Sequence, residues 1–499
     1  MEINKKNIII IGGGMGGLFT GAFLSKEGYH VTVLEKNAQI GGGLQNFTRK
    51  GENYETGMHI LGGLHPGGAV RRILSYLGIW DRLKLFDLGQ DATDIVMYGH
   101  DHSVYYMPKG RQAFVDYLSS LFPSESEGIK QYVDKLFELS EEVDLFYLRP
   151  SSRNIYDHSE MFFWPADKLI AHFVQDKKLR DLLAYLTLTY GGAEGHTMAY
   201  VHALINVLYI QGTTQFIGGS QQLADQLSMV IRSGGGEVRR NEPVVSIQTQ
   251  DGRVTSVTTR SKKVYTADLF ISAVHPAMLL EMLPEGIFTP AYRRRIETRI
   301  STYSAFTAYI KFKPNTFPQL KNPVFYQSEV GLAWNRATYD CEQWPQTFMA
   351  MTPPKHKNET FASHMIVIVP FDYELVRPWE DTTVRNRGEI YDEKKEEHLA
   401  RVINRLKEIY PVIDDCIVDC FASTPLTIRD YFGNKEGALY GYMKDCQQLV
   451  ASQMSIRTRL DNLLLTGQNV NLHGMCGVPL TALETAETIV GKDTILKKI

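Results

Sequence analysis

Residues 7–36 hold the feature that most restricts the fold of this chain. An apolar run of the kind found in buried parallel strands comes first. Gly12, Gly14 and Gly17 then complete the pattern G-x-G-x-x-G, whose glycines allow a tight turn, a close approach of backbone to a pyrophosphate, and packing of helix on strand. A helical segment, a second strand and Glu35 follow, with the carboxylate placed to accept hydrogen bonds from a ribose. This order predicts a dinucleotide site at the N-terminus of the helix.

A second glycine turn shortly after Glu35 indicates which dinucleotide is bound. Residues 40–44 read I-G-G-G-L, and FAD enzymes of the glutathione-reductase-like group have such a turn beside the flavin, where bulky side chains would clash. We therefore predict FAD, held non-covalently because no cysteine or histidine is placed for a covalent link. A third glycine-marked turn at residues 54–59 fits either a plain loop between two strands or a flavin contact. The predicted contacts of this half of the site are Gly12, Gly14, Met15, Gly16, Gly17, Glu35, Lys36, Gly42, Gly43, Leu44 and His59.

The other half of the predicted FAD site lies far away in the sequence. Asp251-Gly252 between alternating strands predicts a hairpin, and a further buried strand is expected over residues 266–273. Near the C-terminus an apolar strand ends in a T-G-Q turn, and Pro479 is expected in the first turn of a helix. The positive end of that helix would point at the flavin and stabilise its anionic reduced form. The predicted contacts of this half are Val244, beside the adenine, and Gly467, Gln468, Gly477 and Val478.

Composition and charge exclude several other classes of protein. A chain of 499 residues with 43% hydrophobic and 22% charged residues resembles an ordinary globular protein with more than one structural unit. A net charge of −3 gives no field for nucleic acid. No run of about 18 apolar residues predicts a spanning helix. Five cysteines without metal-ligand spacing predict reduced thiols in a cytoplasmic protein and no metal site. The charge-dense segment 377–405 predicts a solvated helix, with peripheral membrane contact as the alternative.

The segments between the nucleotide motifs predict a second domain. Alternation at residues 94–107 indicates a hairpin, and residues 303–312 and 365–369 read as further strands. The fold class is therefore α/β, with a glutathione-reductase-like Rossmann-type FAD-binding domain and a substrate domain of mixed sheet and helices. We expect the FAD-binding domain to be formed by residues 1–75, 216–285 and 456–499, and the substrate-binding domain by residues 76–215 and 286–455.

With these motifs the sequence resembles the carotenoid and retinoid oxidoreductases, a family of phytoene desaturases, carotenoid isomerases and retinol saturases. The likeness is strongest at residues 7–65, 217–275 and 421–485. The T-G-M-H turn at residues 56–59, the T-G-Q turn at residues 466–468 and the stretches T-P-L-T and G-A-L-Y-G favour the retinol saturase branch (all-trans-retinol 13,14-reductase). Gly43 departs from the basic residue that many desaturases have at this position.

The resemblance implies an enzyme that saturates a C=C bond of a conjugated isoprenoid, retinoid or lipid. The alternatives are a phytoene-type desaturase or carotenoid isomerase, an amine-oxidase-like flavoenzyme, and a non-catalytic prenyl-protein carrier. Saturation needs a hydride and a proton, for which the candidate donors are His59, Tyr440 and His473, each with a structural role as the alternative. Only one G-x-G-x-x-G occurs, so the electron donor stays open, and NAD(P)H would have to reach the flavin directly. Aromatic residues of the middle region fit equally an apolar substrate tunnel or an ordinary core; they are Phe146, Tyr147, Phe162, Phe163, Trp164, Tyr185, Tyr190, Tyr200 and Tyr209.

Overall fold

A computed structural model describes residues 6–89, 92–151, 153, 157–334, 340 and 342–499. Its strands are β1 Asn7–Ile11, β2 His30–Leu34, β3 Asn46–Arg49, β4 Glu52–Glu55, β5 Leu85–Asp87, β6 Asp94–Tyr98, β7 Val104–Met107, β8 Thr214–Phe216, β9 Glu237–Arg239, β10 Val244–Gln250, β11 Arg253–Thr259, β12 Val264–Tyr265, β13 Leu269–Ser272, β14 Ser304–Phe312, β15 Val324–Gln327, β16 Thr347–Met351, β17 His364–Phe371, β18 Ile417–Ser423 and β19 Leu463–Leu465. Its α-helices are α1 Met15–Lys26, α2 Ala69–Tyr76, α3 Arg111–Leu121, α4 Ser126–Glu141, α5 Ala166–Phe173, α6 Lys177–Leu183, α7 Ala199–Gln211, α8 Gln221–Ser233, α9 Pro276–Met282, α10 Pro290–Glu297, α11 Glu389–Ile409, α12 Ile413–Cys416, α13 Pro425–Phe432, α14 Leu449–Ser452 and α15 Gly474–Val490.

A parallel sheet in the order β19-β13-β1-β2-β9 carries the nucleotide motif. Strand β1 lies at its centre, where Ile10 pairs with Val33 of β2 and Ile271 of β13. Such a strand needs apolar residues on both faces, which explains the uninterrupted isoleucine run. Helix α1 is buried from Gly16 to Ser25 and packs against α8 and α15. The predicted strand, turn, helix and strand are confirmed.

The second large sheet has the order β18-β14-β17-β16-β15-β6-β7. The β15–β6 pair is parallel and the other pairs are antiparallel, so the predicted mixed sheet is confirmed. Across the sheet Ser423, Thr307, Ile368 and Met349 occupy one row of paired residues. Tyr309 and Phe421 form another such pair, two residues further along their strands than Thr307 and Ser423. Because side chains alternate between the two faces of a strand, both rows of side chains lie on the same face of the sheet.

Two local predictions need correction. The hairpin at Asp251 forms as β10 and β11, but the strand expected over residues 266–273 is shorter and begins at Leu269. Pro479 does not lie in the first turn of α15, because the helix already begins at Gly474 and the proline falls in the second turn. The sequence did not indicate this earlier start, because glycine is a poor helix former and Gly474 has a φ of 72°, outside the helical range.

The two sheets draw their strands from the segments expected for two domains. The parallel sheet uses segments within residues 1–75, 216–285 and 456–499, and the mixed sheet uses the remainder. The domain boundaries themselves stay a prediction. Among the described residues, no helix has both the length and the apolar character needed to cross a membrane. Of the cysteines, Cys416, Cys420, Cys446 and Cys476 are free thiols, and Cys341 lies outside the described residues.

Candidate active site

The first glycine turn, at residues 12–17, borders a cavity at the N-terminus of α1. Gly12 has φ of 103°, a left-handed conformation that lets the chain turn sharply after β1. A Cβ atom on Gly17 would lie 2.0 Å from the carbonyl oxygen of Gly12, so only glycine lets helix and strand pack so closely. A Cβ atom on Gly14 would meet no protein atom within 4 Å. The two glycines therefore serve different purposes, since Gly17 permits packing and Gly14 faces open space.

That space is the nucleotide cleft, a cavity of about 780 Å³ lined by Gly12, Gly14, Glu35, Lys36, Gly42 and Val244 among others. The Glu35 carboxylate is buried and accepts hydrogen bonds from the N–H of Gly13 at 2.7 Å and of Asn37 at 2.8 Å. Burial raises the pKa of Glu35, against the lowering effect of these two hydrogen bonds. The Lys36 side chain is engaged by the protein, because its Nζ donates to the carbonyl oxygen of Asp430 at 2.7 Å.

The second glycine turn, at residues 40–44, and the C-terminal T-G-Q turn, at residues 466–468, both contact the first glycine turn or the start of α1. The Gly41 N–H donates to the carbonyl oxygen of Gly13 at 2.8 Å, and a Cβ on Gly42 would lie 3.3 Å from Cα of Gly14. A Cβ on Gly16 would lie 2.8 Å from Cα of Gly467, so two turns separated by most of the chain are in contact. All three turns therefore surround one end of α1.

Other predicted flavin contacts are placed around this junction. A Cβ atom added to Gly16 would touch the Val478 side chain, and one added to Gly441 would touch the Gln468 side chain. Gly43 lies next to the Phe432 ring. Met15 opens α1, whereas Leu44 is buried in the hydrophobic core and faces neither cavity.

The reaction cavity lies on the other side of the junction. It has a volume of about 930 Å³ and is lined by residues of the 57–62 segment, α7, the mixed sheet and the N-terminal turn of α15. All three candidate proton donors, His59, Tyr440 and His473, line it, as does Gly477. Residues 474–477 of the first turn of α15 also line this cavity, and a helix N-terminus favours negative charge. None of the described residues that line it is Asp or Glu, so its character is apolar with a few polar groups.

His59 is held by a buried carboxylate that sequence reasoning missed. Its Nδ1 lies 3.0 Å from Oε2 of Glu55, and both residues are buried. Nε2 of His59 and Oε1 of Glu55 are buried without a hydrogen-bond partner in the described part of the chain. The carboxylate thus fixes Nδ1 of the ring, while Nε2 is left without a partner in a residue that lines the cavity. The sequence signal was an acid four residues before a histidine, with a glycine between them.

The other two candidates are less suited to deliver a proton. Burial, with the nearby Lys444 charge, lowers the pKa of His473 to about 4, so the ring is neutral above that pH. The Tyr440 hydroxyl donates to the carbonyl oxygen of Leu188 at 2.7 Å, and its ring lies 5.1 Å from that of His473. Lys444 itself escaped sequence reasoning. Burial and Arg299 lower its pKa to about 7, and it lines a neighbouring cleft that meets the reaction cavity at Leu472.

The aromatic residues of the middle region divide between core and cavities. Phe146 and Tyr209 line the reaction cavity, and Phe162, Phe163 and Tyr200 line the neighbouring cleft. Tyr185 is instead a core residue that donates to Asp94 at 3.0 Å. The core interpretation is confirmed for Tyr185, and the substrate tunnel stays a prediction for the residues that line the cavities.

These features define a dinucleotide-dependent oxidoreductase with a Rossmann-type sheet, a mixed-sheet domain and a cavity at the end of the nucleotide cleft. The open face of Gly14 and the glycine junction fit a pyrophosphate and a flat ring system, so the residues present suit FAD. The chain belongs to the family of flavin-containing amine oxidoreductases, which matches residues 15–490. It is an FAD-dependent oxidoreductase.

Individual relatives cover nearly the whole chain. All-trans-retinol 13,14-reductase of Danio rerio is 26% identical over 98% of this chain and 86% of its own. The 4,4'-diapolycopene oxygenase of a Methylomonas species is 23% identical over 96% of both chains. The crystal structure of an oxidoreductase from Methanosarcina mazei has a TM-score of 0.64 at 16% identity, covering 96% of this chain and all of that one. The predicted fold class and the likeness to retinol saturases and carotenoid enzymes are confirmed.

Proposed function

We propose that this enzyme saturates a C=C bond of a conjugated, hydrophobic isoprenoid or retinoid. The observation that carries the proposal is a reaction cavity walled by apolar residues, with one carboxylate-supported histidine and no acidic side chain in its lining. The names of the relatives, a retinol reductase and a carotenoid oxygenase, support this class of substrate. An amine substrate, positively charged at neutral pH, would be desolvated in this cavity without a carboxylate facing it.

The cofactor would be held by the residues around the glycine junction. Gly12, Gly14 and Gly42 would receive the pyrophosphate, Glu35 a ribose, and the Val244 backbone the adenine. The first turn of α15 would face the flavin ring, where its amides stabilise negative charge. When bound, FAD supplies the hydride for the reduction.

The proton would come from His59. Glu55 holds Nδ1 of His59 at 3.0 Å and so fixes the orientation of a ring that lines the cavity and has its other nitrogen unbonded within the described residues. An isolated polyene has no carbonyl group to polarise, which makes a positioned acid important. The apolar walls exclude water, which would otherwise compete as the proton source.

We further propose that a reduced nicotinamide dinucleotide is the electron source and approaches the reaction cavity directly. The sequence holds a single G-x-G-x-x-G, and the nucleotide cleft around it is assigned to FAD. Anaerobic mixing of the oxidised enzyme with NADPH or NADH tests this, because loss of the flavin absorbance at a saturable rate is expected. Flavin that stays oxidised with both would assign the reduction to another donor.

The direction of the reaction is tested with chemically reduced enzyme. Under anaerobic conditions, all-trans-retinol or a carotenoid should reoxidise the flavin while the long-wavelength absorbance of the polyene falls. Mass spectrometry should find a product heavier by two hydrogens. Oxidised enzyme that instead adds double bonds to a more saturated substrate, with no turnover in the reducing direction, would favour a desaturase. Change of geometry without change of mass would favour an isomerase.

A further inference from the structure

A second groove lies against the same face of the mixed sheet as the reaction cavity. We call it the arginine groove; it has a volume of about 1460 Å³ and is lined by residues of β3, β14, β18, α11, α13 and the turn before α11. Tyr309 and Phe421 line this groove. On the same face of the sheet, the next row of side chains contains Ile368, which lines the reaction cavity. Among the described residues, none lines both the reaction cavity and the arginine groove. Tyr431 and Phe432 line both the arginine groove and the nucleotide cleft, so the groove adjoins the cofactor site without being part of the reaction cavity.

Positive charge exceeds negative charge along the walls of this groove. Its cations are Arg49, Arg385, Arg387 and Lys395, against a single acid, Asp392. Lys395 is paired with Asp392 at 2.8 Å, and Arg387 forms an ion pair with Asp430 at 2.5 Å. These two cations are therefore neutralised within the protein.

Arg49 and Arg385 are different, because neither guanidinium donates a hydrogen bond within the described residues. Arg49 has only a distant ion pair, 3.9 Å from Asp419, which Lys50 approaches to 2.7 Å. Arg385 stands at the tip of a turn closed by a bridge between Thr383 and Asn386. Its φ of 66° is costly for a non-glycine residue, so the turn holds this arginine in place against backbone strain. Two guanidinium groups whose N–H donors make no hydrogen bond within the described residues thus line one groove, and such groups bind carboxylate or phosphate.

The rest of the groove is apolar and is better suited to the alkyl chain of a ligand than to the flat ring of a nucleotide base. The ring of Phe421 is stacked on Tyr309 at 5.0 Å, and the Arg49 guanidinium covers it at 4.2 Å, so it offers no free face to a nucleotide base. Val384, beside Arg385, and Tyr431 are exposed at 38% and 42%, unusual for side chains that line a groove with nothing bound. An alkyl chain would cover such side chains without needing a free ring face.

We propose that the arginine groove binds a long-chain carboxylate, with Arg49 and Arg385 binding the head group and the exposed Val384 and Tyr431 covered by the chain. This is a ligand site in addition to the active site, and it does not depend on the proposed reaction.

Calorimetric titration of the FAD-loaded enzyme with oleate, below the concentration at which oleate aggregates, tests the proposal. We expect one oleate per chain for the wild type and a Kd raised at least tenfold in the double variant Arg49→Gln, Arg385→Gln. Arg82→Gln, at an exposed position outside the groove, is the matched control and should change the Kd by less than twofold. Val384→Glu keeps both arginines and should also weaken oleate by repulsion. Oleyl alcohol, which lacks the charge, should bind the wild type and the double variant alike.

Several outcomes would overturn the proposal. If oleate binds the double variant as tightly as the wild type, the two arginines do not bind the carboxylate and the proposal is wrong. ADP-ribose that displaces oleate and loses affinity in the same variant would assign the groove to a nucleotide. Phosphatidylserine vesicles that bind the wild type but not the double variant, with no calorimetric signal from free oleate, would assign it to a membrane surface. Flavin content and unfolding temperature equal to wild type would show that each variant is folded.

Discussion

Nδ1 of His59 lies 3.0 Å from Oε2 of Glu55, and both side chains are buried at the edge of the reaction cavity. The pair leaves one imidazole nitrogen of a cavity-lining residue without a partner in the described structure. The carboxylate is not itself among the residues that line the cavity. Glu55 would therefore act through His59 as a positioning residue.

Glu55→Gln should slow the reoxidation of reduced enzyme by a polyene by about tenfold to a hundredfold, or ~1.4 to 3 kcal/mol. The amide keeps the shape of the side chain but no longer stabilises charge on the imidazole. His59→Gln should have at least as large an effect. Stopped-flow absorbance of the flavin measures both rates. The double variant should be no slower than His59→Gln alone, because the two residues act as one unit.

His473→Gln and Tyr440→Phe are the matched comparisons. His473 is already neutral near pH 7, and the Tyr440 proton is engaged by the carbonyl of Leu188, so each change should cost less than about fivefold. All variants should keep their flavin. If His473→Gln is slow and Glu55→Gln is as fast as wild type, the proton donor has been assigned to the wrong histidine.

Gly14→Val should abolish FAD binding while the protein stays folded. The new side chain would fill the open space of the nucleotide cleft and meet no protein atom with its Cβ, so its effect should fall on the cofactor. Lys36→Ala should keep a full complement of flavin, because Lys36 Nζ is bonded to a backbone carbonyl. Flavin absorbance per chain after purification, with circular dichroism as the control for folding, measures both. A full complement of flavin in Gly14→Val would contradict the assignment of the cleft.

The sequence predicted the first glycine turn well because its determinants are local. An isoleucine run, three glycines and a helix succeed one another within about twenty residues, and each acts on its neighbours. The contact between Gly16 and Gly467 could not be derived in that way, since it depends on β19 pairing with β13 across the sheet. The sequence motifs assign both glycines to the FAD site but do not predict that their turns touch.

Side-chain roles within the cavity were beyond sequence reasoning for a different reason. Glu55 and Lys444 have unremarkable neighbours in the chain, and what distinguishes them is burial beside His59 and His473 respectively. Tyr185 shows the converse, since an aromatic residue predicted equally as tunnel or core donates to the buried Asp94. Burial and partner depend on the packing of the whole fold, which no local pattern encodes.

The flavin should be released completely by heat denaturation. Cys476 is a cysteine in the reaction cavity and the obvious candidate for a covalent link, but burial raises the pKa of its thiol to about 12. A thiol rather than a thiolate is a poor nucleophile, so no bond to the flavin should form. After heating and centrifugation, flavin fluorescence should be found in the supernatant, in Cys476→Ser as in the wild type. Flavin retained in the wild-type pellet but not in the variant pellet would identify a covalent link.

Asp94 should make the stability of the folded chain depend on pH. It is fully buried at the start of β6, one carboxylate oxygen accepts from Tyr185 and the other has no hydrogen-bond partner in the described residues. Burial raises its pKa to about 7, although the neighbouring hydroxyl groups of Thr93 and Tyr185 act to lower it. The folded chain therefore holds a proton that the unfolded chain loses near pH 4.

The stabilisation that this proton provides is complete below about pH 4 and is lost as the pH rises through 7. Asp94→Asn keeps the size and the acceptor but does not titrate. The free energy of unfolding of the variant, relative to that of the wild type, should therefore rise by about 3 kcal/mol between pH 5 and pH 8, at ~1.4 kcal/mol per pH unit. Urea denaturation of both FAD-loaded proteins at the two pH values measures it. Asp392→Asn, at an exposed carboxylate on α11, should leave the difference constant. A constant difference for Asp94→Asn as well would mean that the carboxyl is ionised in the folded protein at pH 5.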